Sequence, residues 1–109
     1  MTFEEHVRAA LDSLPPHLAT ALENVAVVVR DEHPDDPDLL GLYEGTPLPE
    51  RTSASVGDLP DQITIYRLPL EESFPDPREL EDEIRVTVLH ELAHYFGIDE
   101  ERLEQLGYG

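Results

Sequence analysis

The stretch from His90 to Glu100 constrains this chain more than any other, because it opens with the order His-Glu-x-x-His. Residues four apart on an α-helix lie one turn above each other and are rotated by only about 40°. The ring nitrogens of His90 and His94 can therefore converge on one metal ion, with Glu91 at the edge of the same face. This pattern is typical of a zinc hydrolase in which the glutamate is the general base.

The helix that carries this motif is predicted to run from Arg78 to Phe96, and its faces differ in polarity. At 100° per residue, Glu83, Thr87 and His94 all fall within about 60° of His90. Apolar side chains fill most of the remaining circle: Ile84, Val86, Val88, Leu89, Leu92, Ala93, Tyr95 and Phe96. We therefore expect a largely buried helix whose one polar stripe lines the floor of a cleft.

A glycine and several acids follow the motif. Gly97 is expected to end the helix, because glycine readily adopts the left-handed conformation that turns the chain. Asp99 can then cap a last helix over residues 100–106. A catalytic zinc ion usually has three protein ligands and a water, and counting along an HExxHxxGxxH/D pattern places Glu100 in the third position. Asp99, one residue away, is the alternative, and the later acids of that helix are less well spaced.

The rest of the chain predicts an α+β fold with a short mixed sheet of three to four strands. The sheet is expected to pack on N-terminal helices and on the long helix of the motif. Helices are predicted at 2–13, where Thr2 and Glu5 form a capping box, and at 16–22.

Three segments are predicted to be strands. Residues 25–29 are an unbroken run of Val and Ala, which indicates a buried central strand. Residues 39–45 indicate a short strand and a turn. Residues 63–68 alternate in polarity and precede Pro69, which favours an edge strand that can pair with an extended peptide. A surface loop over 46–59 is expected to join the last two strands.

Charge and composition narrow the choice of partners. The formal net charge of -18 comes from 25 acidic residues against seven arginines, with no lysine. Such a surface repels phosphate backbones and anionic lipids, so we expect no nucleic acid or membrane partner. The charge is explained first by solubility, and the partner that it would otherwise suit is a peptide or protein substrate that is basic or extended. The chain has no cysteine, which excludes disulfides and thiolate ligands. With no basic region or long apolar run at its start, it is expected to be a cytoplasmic, monomeric single domain.

The segment from His90 to Leu106 resembles the metal-binding segment of the minimal zincin-like metallopeptidases, small bacterial proteins formerly of unknown function. Further stretches that resemble this family are Leu39–Gly45, Arg51, Leu59–Ile63 and Arg85–Leu89. The resemblance implies a zincin-like α+β domain, a Zn²⁺ ion held by His90, His94 and an acid, and Glu91 as base. The family pattern usually has aspartate where this chain has Glu100, whose side chain is one methylene longer.

Metal-assisted peptide hydrolysis is the function that these features predict, with Glu91 taking a proton from the attacking water. Tyr108 is the candidate for the oxyanion-stabilising residue by its position, and Tyr43, Tyr66 and Arg51 are further candidates. The alternative function is a zinc-binding regulatory or interaction module with weak or no peptidase activity. A purely structural zinc ion is a third reading, which would require a fourth protein ligand.

Overall fold

A computed structural model describes residues 2–45 and 61–106 of the chain. In chain order its elements are α1 (Phe3–Asp12), α2 (Pro16–Leu22), β1 (Val25–Arg30), β2 (Gly41–Glu44), β3 (Asp61–Tyr66), α3 (Arg67–Ser73), α4 (Pro77–Tyr95) and α5 (Glu100–Leu106). This arrangement confirms the predicted α+β class. The predicted loop at 46–59, with Arg51, and the candidate Tyr108 lie outside the described residues.

The described strands form one mixed sheet in the order β1-β3-β2, with β1 parallel and β2 antiparallel to β3. The prediction that residues 63–68 form an edge strand is therefore wrong, since β3 is central. Its alternation marks two buried faces, because Ile63 and Ile65 are 0% exposed and Thr64 is only 2% exposed. Two polar side chains of this strand form a hydrogen bond with each other, since the Gln62 side-chain amide donates to the Thr64 hydroxyl at 3.1 Å.

The prediction of a central strand at 25–29 is also wrong, because β1 lies at an edge of this sheet. Val25 is buried, and the next four residues are half-buried. Val27 and Val29 pack against the hydrophobic core, and α2 lies beside the strand. Helix α2 therefore lies beside the apolar residues of β1, where a further strand was expected.

The chain becomes helical directly after β3. Arg67 and Leu68, predicted to belong to the strand, are the first residues of α3. Pro69 lies in the first turn of that helix, where its missing N–H has no intrahelical partner to lose. The proline therefore marks a helix start and not a sheet edge.

The long helix α4 forms the floor of the molecule against which the sheet and α1 pack. It begins one residue earlier than predicted, with Asp76 as its N-cap. Its buried apolar residues follow one face: Leu80, Ile84, Val88, Leu92 and Tyr95. Val86 and Phe96 are exposed, so the helix is less enclosed than its apolar content predicts. No helix within residues 2–45 and 61–106 is long and apolar enough to cross a membrane.

Candidate metal centre

The two histidines of the motif lie together near the C-terminal end of α4. The ring centroids of His90 and His94 are 5.1 Å apart, and the rings are inclined by 77°. Their side chains are 21% and 22% exposed. The predicted one-turn spacing thus places two imidazoles side by side at the surface of the helix, where an ion and a substrate can both reach them.

A tight turn brings α5 back towards these rings. Gly97 has a φ of 87°, the left-handed conformation that glycine adopts without a steric penalty. The Gly97 N–H donates to the His94 carbonyl at 2.9 Å, and the Ile98 N–H donates to the Ala93 carbonyl at 3.0 Å. This pair of bonds is a Schellman motif, which satisfies carbonyls at the helix end and reverses the chain.

Asp99, which precedes α5, and Glu100, its first residue, have different roles. The Asp99 carboxylate accepts from the Arg102 N–H at 2.9 Å and thereby caps α5, as predicted. Glu100 instead reaches the histidines: its Oε1 atom lies 2.9 Å from His90 Nε2 and 2.8 Å from His94 Nε2. Of the two acids considered for the third position, Glu100 is the one that the turn directs to both rings.

The hydrogen bonds of His94 test whether these groups suit a cation. Its Nδ1 lies 2.9 Å from the Ile98 carbonyl oxygen. A carbonyl only accepts, so Nδ1 carries the proton, and in the neutral ring Nε2 presents a lone pair to Glu100. The carboxylate oxygen and His94 Nε2 therefore present lone pairs to each other at 2.8 Å, and a proton or a cation must lie between them.

Zinc satisfies this arrangement of lone pairs. Zn–N and Zn–O bonds of about 2.0–2.2 Å imply ligand atoms roughly 3.3 Å apart in a tetrahedron, a few tenths of an ångström beyond the contacts of Glu100. A backbone carbonyl that holds the far nitrogen of a ligating histidine is also a recurring feature of metal sites. The residues present therefore fit a zinc ion.

Glu91 lies beside the histidines in a much drier environment. Its side chain is 11% exposed, and its Oε2 atom is 3.9 Å from His90 Nε2. Burial raises the pKa of Glu91, against the opposing effects of His90, His94 and the Tyr43 main-chain N–H. Glu100 has the reverse shift: hydrogen bonds, first from His90, lower its pKa. Two carboxylates at one centre thus differ in proton affinity because of their surroundings.

Strand β2 approaches α4 closely at this point. A Cβ atom on Gly41 would lie 2.5 Å from Thr87 Cγ2 and 3.4 Å from Glu91 Cγ, so only glycine allows the strand to lie against the helix here. Gly41 was not predicted to belong to the site, although a glycine inside a strand is a known sign of close backbone approach. A cleft of about 410 Å³ opens beside this contact and is lined by Gly41, Thr87, His90 and Glu91, among others.

The tyrosines considered as oxyanion-stabilising residues lie elsewhere. The Tyr43 hydroxyl donates to Asp61 Oδ2 at 2.5 Å. Tyr66 borders a separate pocket with Arg30 and His33 and makes an edge contact with the His33 ring at 5.8 Å. Tyr108 lies outside the described residues. The structure therefore brings together His90, Glu91, His94 and Glu100 but neither Tyr43 nor Tyr66 through its hydroxyl.

Comparison with known families agrees with this geometry. A model of the zincin-like metallopeptidase family matches residues 22–109 of the chain. No curated protein matches the chain in a search of individual sequences. The family match spans the sheet, the motif helix and the metal centre, so the chain belongs to the zincin-like metallopeptidase family.

Proposed function

We propose that the protein is a zinc-dependent peptidase in which His90, His94 and Glu100 hold the metal ion and Glu91 is the general base. The observation that carries this proposal is the convergence of Glu100 Oε1 on both Nε2 atoms, at 2.9 and 2.8 Å, beside a buried glutamate. A bound zinc ion supplies Lewis-acid polarisation of a carbonyl and lowers the pKa of water towards about 7.

The choice of Glu100 over Glu91 as ligand depends on distance and burial. The ligand atoms of His90, Glu91 and His94 also lie within 4.8 Å of one another, so that set could hold an ion as well. The Glu91 oxygen, however, is 3.9 Å from His90 Nε2, whereas the Glu100 oxygen is 2.9 Å away. Glu100 is already stabilised as an anion, which suits a ligand, and Glu91 is not.

Glu91 has the properties of a proton carrier. Burial raises its pKa, which brings a carboxylate closer to the pH at which general bases work best. In the proposed mechanism Glu91 accepts a proton from the attacking water and then passes it to the leaving amine.

The cleft supports a cationic, extended peptide as substrate. Asp36, Asp38 and Glu83 share its lining with His90 and Glu91. Among the described residues, the ion pairs of arginine side chains involve other acids: Arg67 with Asp31 and Glu71, and Arg85 with Asp82. Apolar lining from Leu39, Leu40 and Val86 suits the methylene stem of arginine or lysine. The strand that borders the cleft is β2, so β2 replaces β3 as the proposed partner of an extended substrate.

Metal analysis combined with a peptide library tests this function. The purified protein should contain one zinc ion and cleave some peptides, and Glu91→Gln should keep zinc while losing roughly 10²–10⁴ in turnover. Glu79→Gln, at an exposed position of the same helix, is the matched control and should retain full activity. Equal cleavage by Glu91→Gln and the parent would disprove the role of Glu91, whereas zinc binding without cleavage would indicate a regulatory or interaction module.

The third ligand is tested by zinc affinity. Glu100→Gln should weaken binding by at least roughly 10–100-fold, the loss seen when even an outer-shell partner of a metal site is changed. Asp99→Asn is the control, because asparagine also caps helices and can keep the contact with the Arg102 N–H. A larger loss for Asp99→Asn than for Glu100→Gln, in competition with a chelator, would exchange the two assignments.

A further inference from the structure

Asp61 is a buried carboxylate that the mechanism above does not use. It is the first residue of β3 and is only 3% exposed. The Tyr43 hydroxyl donates to its Oδ2 atom at 2.5 Å. Gly45 makes room for it, since a Cβ at that glycine would lie 2.5 Å from Asp61 Oδ1, and the glycine has a φ of 152°. Burying a carboxylate costs free energy unless hydrogen bonds compensate, so this contact calls for an explanation beyond packing.

The main chain of Tyr43 connects this contact to the metal centre. Tyr66 donates its N–H to the Leu40 carbonyl at 3.0 Å, and Gly41 and Tyr43 are opposite Ile65 and Ile63 in the register of β2 and β3. In an antiparallel ladder the N–H groups alternate in direction, so those of Gly41 and Tyr43 point away from β3. On that side lies Glu91, whose Cγ would be 3.4 Å from a Cβ at Gly41 and whose carboxylate accepts from the Tyr43 N–H.

We propose that Asp61 is a positioning residue for the general base. Asp61 holds the Tyr43 side chain by its hydroxyl, and Tyr43 in turn holds the Glu91 carboxylate by its main-chain N–H. The Tyr43 ring also packs edge-on against Tyr95 of α4, with centroids 6.2 Å apart, which ties the same strand residue to the helix of the motif. This inference depends on the proposed function, because the orientation of Glu91 matters for catalysis only if the protein is a hydrolase.

Two substitutions separate the hydrogen bond from packing. Tyr43→Phe removes only the hydroxyl and keeps the ring against Tyr95, whereas Asp61→Asn keeps an oxygen that can accept from Tyr43. His6→Gln is the control, because it disturbs another, partly buried contact of α4, between His6 Nδ1 and Glu81 Oε1 at 2.7 Å. That contact lies ten residues from Glu91 along the helix, about 15 Å at 1.5 Å per residue.

In the zinc-loaded protein, Tyr43→Phe should lower kcat by roughly 10–100-fold, the loss expected when a catalytic group is misplaced by about 1 Å. KM and zinc content should stay at the parent values, because neither the cleft nor the ligands are changed. Asp61→Asn should retain most of the parent kcat, because asparagine still accepts from the Tyr43 hydroxyl. His6→Gln should leave kcat unchanged. A drop in kcat with Tyr43→Phe no greater than with His6→Gln would overturn the positioning role.

A second readout needs no catalysis. In the metal-free protein, the amide proton of residue 43 should give an NMR signal that is shifted downfield by the Glu91 carboxylate. The Glu91→Gln variant serves as a marker, because it gives the chemical shift of this proton when the charge is absent. Tyr43→Phe should move the signal towards this marker, while Asp61→Asn and His6→Gln should leave it in place. An unmoved signal in Tyr43→Phe would refute the inference even if the parent cleaves peptides. If the parent cleaves nothing, the proposed function fails and this signal still decides the contact.

Discussion

Glu91 and Glu100 show how the surroundings of one residue set its part in a site. Both are glutamates within contact range of His90, at 3.9 and 2.9 Å. Glu91 is 8% exposed overall, so loss of water dominates and raises its pKa. The Glu100 side chain is 63% exposed, and its contacts with the rings of His90 first and then His94 lower its pKa. The dry carboxylate suits proton transfer, and the solvated one suits a cation.

The raised pKa of Glu91 predicts a stability cost in the metal-free protein. The folded state binds the Glu91 proton more tightly than the unfolded state, so stability falls as the pH rises above the ordinary glutamate value of about 4.3. Glu91→Gln removes this loss, and its amide oxygen can still accept from the Tyr43 N–H. We expect a higher Tm than the parent at neutral pH and equal Tm values near about pH 4.

Thermal unfolding with a chelator, measured across this pH range, checks the prediction. Glu100→Gln is an informative comparison, because the pKa of Glu100 is shifted in the opposite direction. The Glu100 carboxylate stabilises the fold above its unfolded-state pKa, and this stabilisation is lost as the pH falls through its folded-state pKa. A Tm for Glu91→Gln below that of the parent at neutral pH would mean that the buried carboxylate is better compensated than its burial indicates.

At the scale of secondary-structure elements, the site depends on how closely β2 lies against α4. Thr87, which is 6% exposed and donates its hydroxyl to the Glu83 carbonyl at 2.7 Å, fills the space opposite Gly41. A Cβ at Gly41 would lie only 2.5 Å from Thr87 Cγ2, and a β-branched side chain in a helix has little rotamer freedom to move away. The strand must therefore shift if this glycine is replaced.

Gly41→Ala is expected to destabilise the protein by about 1–3 kcal/mol, the usual effect of overpacking a core, and to reduce turnover by moving the strand off Glu91. Thr87→Ser removes the opposing methyl group and keeps the hydroxyl. The double substitution should therefore recover part of both losses, as neighbouring sites are not additive. Urea unfolding and peptide cleavage of the four proteins measure the coupling. Additive losses would show that the clash lies elsewhere.

Features that depend on neighbouring residues could be predicted from the sequence, whereas features that depend on long-range contacts could not. The motif helix, its end at Gly97 and the cap at Asp99 follow from signals within a few residues, and the structure agrees with each. The strand order does not, because alternation along 63–68 is equally compatible with an exposed face and with a buried polar one. Contacts such as Tyr43 with Asp61 join residues 18 apart in sequence, and no local pattern specifies them.

For the whole molecule, the net charge of -18 and the acidic lining of the cleft act over different distances. The overall field attracts any cationic peptide and is screened beyond a Debye length of about 8 Å at physiological salt. Asp38 and Glu83 line the cleft itself, so a bound side chain would contact them within that length. Salt should therefore reduce the rate of encounter more than it reduces discrimination within the cleft.

Peptides with arginine or its uncharged analogue citrulline separate these two effects. We expect a higher kcat/KM for the arginine peptide. Salt should lower this value more than that of the citrulline peptide, and the preference that remains at high salt should reflect contacts within the cleft. Asp38→Asn should lower the ratio between the two peptides. Asp12→Asn, which removes the same charge at an exposed position outside the cleft lining, should not. Equal ratios in both variants would place the preference in the overall charge and leave the cleft without selectivity for a cation.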